Sequence, residues 1–192
     1  MSTASVTARP GVVLADLLPS SRVRDAALVL GGAALTGVAA QIAVPVPGSP
    51  VPVTGQTFAA LLVGTTLGAR RGVAALALYA AAGLAGVPWF AQGGSGASVS
   101  FGYVVGMLLA AAAVGALARR GADRSPLRMA GTMLLGEAII YAVGVPYLAL
   151  TAHMSATAAV AAGLTPFLIG DALKAALAMG ALPTAWKLTN KS

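Results

Sequence analysis

The sequence has no cysteine and one histidine among its 192 residues. It therefore has no disulfide, no cysteine-ligated zinc or iron–sulfur cluster, no thiol nucleophile and no histidine cluster. Charge is scarce too. Five acidic and 12 basic residues make up 9% of the chain, where an ordinary soluble domain carries about 25%. Apolar residues make up 58%. That composition excludes a disordered chain, which needs low hydrophobicity and high charge. It also leaves too few polar groups to cover the large surface fraction of a soluble domain of this size. The class left is an all-α, polytopic membrane protein, with lipid as the solvent of its outer face. The net charge of +7 has the sign of a nucleic-acid footprint, so its placement matters.

A spanning helix needs about 20 mostly apolar residues. Six candidates follow, the first from Asp25 to Val44. Val44 to Thr54, VPVPGSPVPVT, has four prolines in eleven residues and reads as an extended, polyproline-like loop. Gln56 to Gly68 is a short second span, ended by Arg70 and Arg71. Gly72 to Val87 is the third, followed by Pro88 and a Gly/Ser-rich loop, Trp89 to Ser100. Phe101 to Ala118 is the fourth and Leu127 to Leu150 the fifth. Thr151 to Leu164 reads as an ordered outer segment, and Thr165 to Trp186 is the sixth span. The expected organisation is a tail over 1–24, one six-helix domain over 25–188 and a tail over 189–192. Because spans two and three are short, the outer loops beside them are expected to fold down into the bundle.

Charge placement fits this count. With both termini cytoplasmic, the inner set holds Arg9, Arg22, Arg24, Arg70, Arg71, Arg119, Arg120, Arg124, Arg128, Lys187 and Lys191, and the outer loops hold no basic residue. This is a positive-inside pattern, so the basic charge marks topology and a nucleic-acid partner is not expected. Met1 to Arg24 lacks the basic start and apolar run of a cleaved signal peptide.

The exception is Lys174, inside span six. Three ionisable residues lie within spans: Glu137, Asp171 and Lys174. Such groups cost about 2.5–3.5 kcal/mol each on insertion scales and are functional candidates by default. Asp171 and Lys174 share a helix face at i, i+3, roughly 9 Å and 13–14 Å below the outer boundary. They read either as a self-neutralising pair or as groups that bind a polar solute from outside. Glu137, with Tyr141 one turn outward, reads as a protonated, hydrogen-bonded carboxyl or as a proton relay. Gln56 opens span two between Thr54 and Thr57, with Thr54 as the expected N-cap. These groups serve either as cap and turn chemistry or as cavity lining. Trp89 and Phe90 read as interfacial anchors or as a stacking lid. Small residues such as Ala33 and Gly37 in span one allow close helix packing or docking of a membrane subunit. No Walker motif and no Gly-x-Ser-x-Gly element occurs, so neither an ATPase nor a serine hydrolase is expected.

Four ordered blocks carry a resemblance: PVTGQTFAALLVGTTLGARRG from Pro52, LYAAAGLAGVPWFAQGGSG from Leu78, IIYAVGVPYLAL from Ile139 and TPFLIGDALKAALA from Thr165. Together they closely resemble the BioY family, the biotin-specific substrate-binding subunits (S components) of energy-coupling factor transporters. The resemblance implies a six-helix protein of the bacterial cell membrane with a biotin site near the outer face. It implies partnership with a transmembrane coupling subunit and two ATPase subunits. Biotin is then the substrate, and no cofactor is expected. By position, Asp171 and Lys174 inherit the ligand-binding role, with Gln56 and Thr54 from the first-loop block and Phe90 from the later loop. Gly102 and Tyr103 match where VSFGY replaces the more usual GPTGGY. Tyr141 completes the candidate set. Homo-oligomerisation stays open. The alternative is a stand-alone ion- or proton-coupled carrier that uses Glu137.

Overall fold

The computed structural model describes residues 11–189. Residues 1–10 and 190–192 of the two expected tails, Arg9 and Lys191 among them, lie outside the described residues.

Helix α1, Arg22–Gln41, starts where the Ser21 hydroxyl accepts the Arg24 N–H at 3.0 Å, a side-chain N-cap that satisfies an orphan donor. The proline-rich segment after it, expected to be extended and polyproline-like, instead turns at Gly48 (φ 77°), where the Ser49 N–H donates to the Val46 carbonyl at 3.0 Å, and its ends are tied. Strands β1 (Ala43–Val44) and β2 (Val53–Thr54) pair antiparallel, Ala43 with Thr54 and Val44 with Val53. Thr54 is thus a strand residue, which corrects the expectation that it caps the next helix. Gly55 takes the cap position. A Cβ there would stand 2.8 Å from the Ala39 carbonyl oxygen, so only glycine fits between strand and α1.

Helix α2, Gln56–Leu84, reads as one segment but turns at Gly68, whose φ is 79° and ψ 168°. Only glycine adopts that conformation cheaply. The turn folds the helix back on itself. Gln56 and Tyr79 are 23 residues apart, yet the Tyr79 hydroxyl donates to Gln56 Oε1 at 2.9 Å. A straight helix would separate them by about 34 Å. Helices α3 (Phe101–Arg119) and α4 (Pro126–Thr151) follow. The outer segment expected over 151–164 contains a short helix, α5 (Ala156–Gly163). A 3-10 turn, Thr165–Phe167, then leads into α6, Leu168–Thr189.

Among the described residues, five helical segments are long and apolar enough to cross a membrane, with the folded α2 counted once and α5–α6 as one. They pack through small residues. A Cβ on Gly115 of α3 would lie 2.4 Å from the Ala69 nitrogen, beside the α2 bend, and one on Gly106 would lie 2.8 Å from the Ile140 carbonyl oxygen of α4. Close backbone approach of this kind replaces the hydrophobic drive that lipid does not supply. Outward side chains are apolar, among them Leu30, Leu134, Ile169, Leu173 and Leu177, as an outer face in hydrocarbon requires.

One end of the bundle gathers arginine. Arg71, just past the α2 bend, pairs with Asp16 at 2.7 Å and Asp25 at 3.0 Å, and Arg119 lies 3.6 Å from Asp16. Residues 14–17 form a 3-10 turn held there, with Val13 and Ala15 buried. The expected N-terminal tail is therefore packed against the bundle from Gly11 onward. At the same end the Trp186 indole donates to buried Asp123 at 2.7 Å, and the Arg124 guanidinium covers the Trp186 ring at 4.7 Å. These contacts fasten the end of α6 to the α3–α4 turn.

Candidate functional site

The site lies at the opposite end, where the N-termini of α2, α3 and α6 converge under the β1–β2 loop. Asp171 stands in the first turn of α6, where a carboxylate is favoured by the helix dipole. One turn on, Lys174 Nζ donates to Asp171 Oδ1 at 3.0 Å and to Thr57 Oγ1 at 2.8 Å. The Tyr141 hydroxyl donates to Asp171 Oδ2. Both members of the pair are almost fully enclosed, with side chains 10% and 13% exposed. A buried pair of this kind needs further hydrogen bonds to offset its desolvation, and here Thr57 and Tyr141 supply one each.

An aromatic wall stands beside the pair. Tyr103 from α3, Tyr141 from α4 and Phe167 from the turn before α6 lie with ring centroids 6.3–6.4 Å apart. The Tyr103 hydroxyl donates to the Gly163 carbonyl at 2.8 Å, which ties α5 to the wall. Val51, Pro52 and Thr54 cover the opposite side, and Gln56, Thr57, Ala91 and Ser100 complete the lining. The space enclosed is about 20 Å³, enough for one water. The charged pair, amide, hydroxyls and aromatic faces give it donors, acceptors and apolar surface together, the mixture of a small-molecule site.

Six of the seven residues named from sequence meet here: Asp171, Lys174, Gln56, Thr54, Tyr103 and Tyr141. Phe90 does not reach the lining. It is buried behind it, with its ring 5.2 Å from that of Tyr79 and 6.1 Å from that of Phe101, and it fills the space a side chain on Gly83 would need. Trp89 likewise packs inward, against Gly37 and Tyr79, and donates its indole N–H to the Tyr79 carbonyl at 3.0 Å. The loop between α2 and α3 is thus folded into the bundle, as the short spans imply. Sequence reasoning missed Phe167 and Gln41. The Gln41 amide donates to the carbonyls of Gly37, Trp89 and Phe90 at 2.9–3.2 Å and accepts from the Gly93 N–H at 3.0 Å. It staples that loop to α1. A glutamine at the end of an apolar helix, before a proline-rich loop, was its only signal.

Fold and site together define a multi-pass membrane protein with an enclosed small-solute pocket near one face. The sequence model of the BioY family matches residues 9–191, and the chain belongs to that family. Over 119 residues it is 40% identical to the probable biotin transporter BioY of Lysinibacillus sphaericus, covering 60% of each chain. It is 31% identical to the biotin transporter BioY2 of Lactococcus lactis subsp. cremoris, over 83% of this chain and 88% of the relative. Its fold is similar to the crystal structure of an S component for biotin from an ECF-type ABC transporter. The TM-score is 0.78 at 20% identity, over 88% of this chain and 95% of the other.

Proposed function

We propose that the protein captures biotin in the Asp171–Lys174 pocket and serves as the substrate-binding subunit of an energy-coupling factor transporter in a bacterial cell membrane. The observation that carries this reading is the paired charge of Asp171 and Lys174, enclosed with amide, hydroxyl and aromatic groups under a loop. Biotin offers two ureido N–H donors and a ureido acceptor, an apolar bicycle and chain, and a carboxylate. Asp171, Tyr141 and Gln56 complement the ureido group or help to order the site. Lys174 donates to a carbonyl or carboxylate. Tyr103 and Phe167 supply apolar faces, and Thr54 closes the top.

Ligand pockets measure about 300 Å³ or more, so admission requires the enclosed space to widen. In this reading the cover formed by Val51, Pro52 and Thr54 is the side that moves, since its two strands pair over only two residues each.

The topology that suits this role has six membrane crossings over 25–188. The two arms of α2 each provide one, and the arginine-rich end and both termini are cytoplasmic. The folded-back α2 and the one-sided charge support it. Energy comes from a partner: a transmembrane coupling subunit with two ATPases, as the S component assignment implies. No cofactor is invoked, and the protein is not itself an enzyme in this scheme.

Reconstitution tests the proposal. Liposomes holding this protein alone should bind biotin without accumulating it. Accumulation should begin when the coupling subunit and ATPases are co-reconstituted and ATP is supplied. Accumulation by the protein alone, abolished by Glu137→Gln, would instead establish an ion-coupled carrier.

A further inference from the structure

Behind the pocket, between α4 and α6, lies a second space of about 280 Å³. Exposed Leu134, Ala138, Leu168 and Ala172 form its rim, so it opens on the outer face of the bundle. Glu137 lies in its wall. The residue is 6% exposed, and both carboxylate oxygens are buried without a hydrogen-bond partner. Every other buried carboxyl among the described residues has at least one donor.

Tyr141 belongs to both spaces, and Asp171 lines this crevice while its partner Lys174 lines the pocket. The Tyr141–Asp171–Lys174 chain of hydrogen bonds is therefore the partition between them. Glu137 stands on the far side of that partition, one helical turn from Tyr141 on the same face of α4. The titratable groups facing it are Tyr141 on its own helix and Asp171 and Lys174 on α6. Tyr103 of α3 stands behind Tyr141. Helix α5 carries no titratable side chain, and the arginines of α2 lie at its bend beside Asp16 and Asp25.

From this placement we infer that Glu137 is a proton-binding site linked to the pocket, so that ligand occupancy and protonation of Glu137 favour one another. The crevice wall is too apolar to hold a metal cation, and a lone carboxyl there takes up or releases a proton according to the charge nearby. That charge changes when ligand binds. An acceptor on the ligand, whether carbonyl or carboxylate, takes the remaining Lys174 N–H and shares the ammonium charge that compensates Asp171. Asp171 is then less compensated, the field at Glu137 becomes more negative, and a proton is taken up. By linkage, affinity weakens as pH rises.

The inference rests on biotin being the ligand, and the experiment separates the two claims. Biotin is titrated calorimetrically into the purified protein between about pH 6 and 8.5, where its carboxylate stays ionised. Buffers of differing ionisation enthalpy report proton exchange. An absence of binding at every pH overturns the biotin reading itself. If biotin binds, affinity should fall by about threefold or more across the range, with net proton uptake. Glu137→Gln should flatten the dependence, and Glu137→Asp should retain it. A wild-type affinity independent of pH with no proton exchange overturns the inference, a result that stands even if the Gln variant does not fold. An equal slope in Glu137→Gln overturns it as well.

Discussion

Lys174 has three N–H donors, and Asp171 and Thr57 take two of them. One remains for ligand. Lys174→Ala removes that donor and leaves Asp171 uncompensated beside the ligand, so biotin binding should weaken at least tenfold, about 1.4 kcal/mol or more. Lys174→Arg should not restore it, because a planar guanidinium does not occupy the place of a compact ammonium. At the other end, Trp186→Phe withdraws the indole donor from buried Asp123. Loss of that buried hydrogen bond should cost about 1–3 kcal/mol, read as a lower unfolding midpoint in detergent. Burial pushes the Asp123 carboxyl up, against the Trp186 hydrogen bond, its own backbone N–H and the Arg124 charge. Its contribution to stability is therefore full below the ordinary carboxylate range and is lost as pH rises through the raised value. The Asp171–Lys174 pair was legible from sequence because a charge in an apolar run stands out by its cost. Phe167 was not, since one more apolar residue in such a chain carries no contrast. The partnership of Lys174 with Thr57 was not legible either, because it joins helices 117 residues apart.

Among the elements, α2 shows how far the sequence reaches. Arg70 and Arg71 mark the break between two short spans, but the chain turns at Gly68, where a positive φ is required. Gly68→Ala should strain that turn by about 1–3 kcal/mol and press its Cβ on Arg119, 3.3 Å away. Thermal unfolding measures it. The Gln41 staple gives a local counterpart. Gln41→Leu should leave the helices intact yet speed amide exchange at Gly93, whose N–H the Gln41 side chain accepts. The 3-10 turn at the arginine-rich end responds to acid. Desolvation raises the Asp16 carboxyl, but the Arg71 hydrogen bond, the Val13 N–H and the charges of Arg71 and Arg119 outweigh it and hold the group below the ordinary 3.8. The staple is then complete above about pH 4 and loosens as pH falls through the lowered value. Exchange at Val13, which donates to Asp16, follows that loss. Helix α5 escaped the sequence reading because eight apolar and small residues in an outer segment have no amphipathic contrast to mark them.

At the scale of the whole molecule, the charges are sorted by end, with the arginine cluster at one and the Asp171–Lys174 pair near the other. A chain with no cysteine suits single-cysteine mapping. Ser49→Cys should react with a membrane-impermeant reagent from outside intact cells, and Arg120→Cys only after the membrane is opened. The central claim is that this pair makes the biotin site, and calorimetric titration of the detergent-purified protein tests it most directly. The account predicts one saturable biotin site of micromolar or tighter affinity in the wild type, weakened at least tenfold in a folded Lys174→Ala protein. Absence of binding by the wild type at micromolar biotin, or equal affinity in the variant, would contradict it.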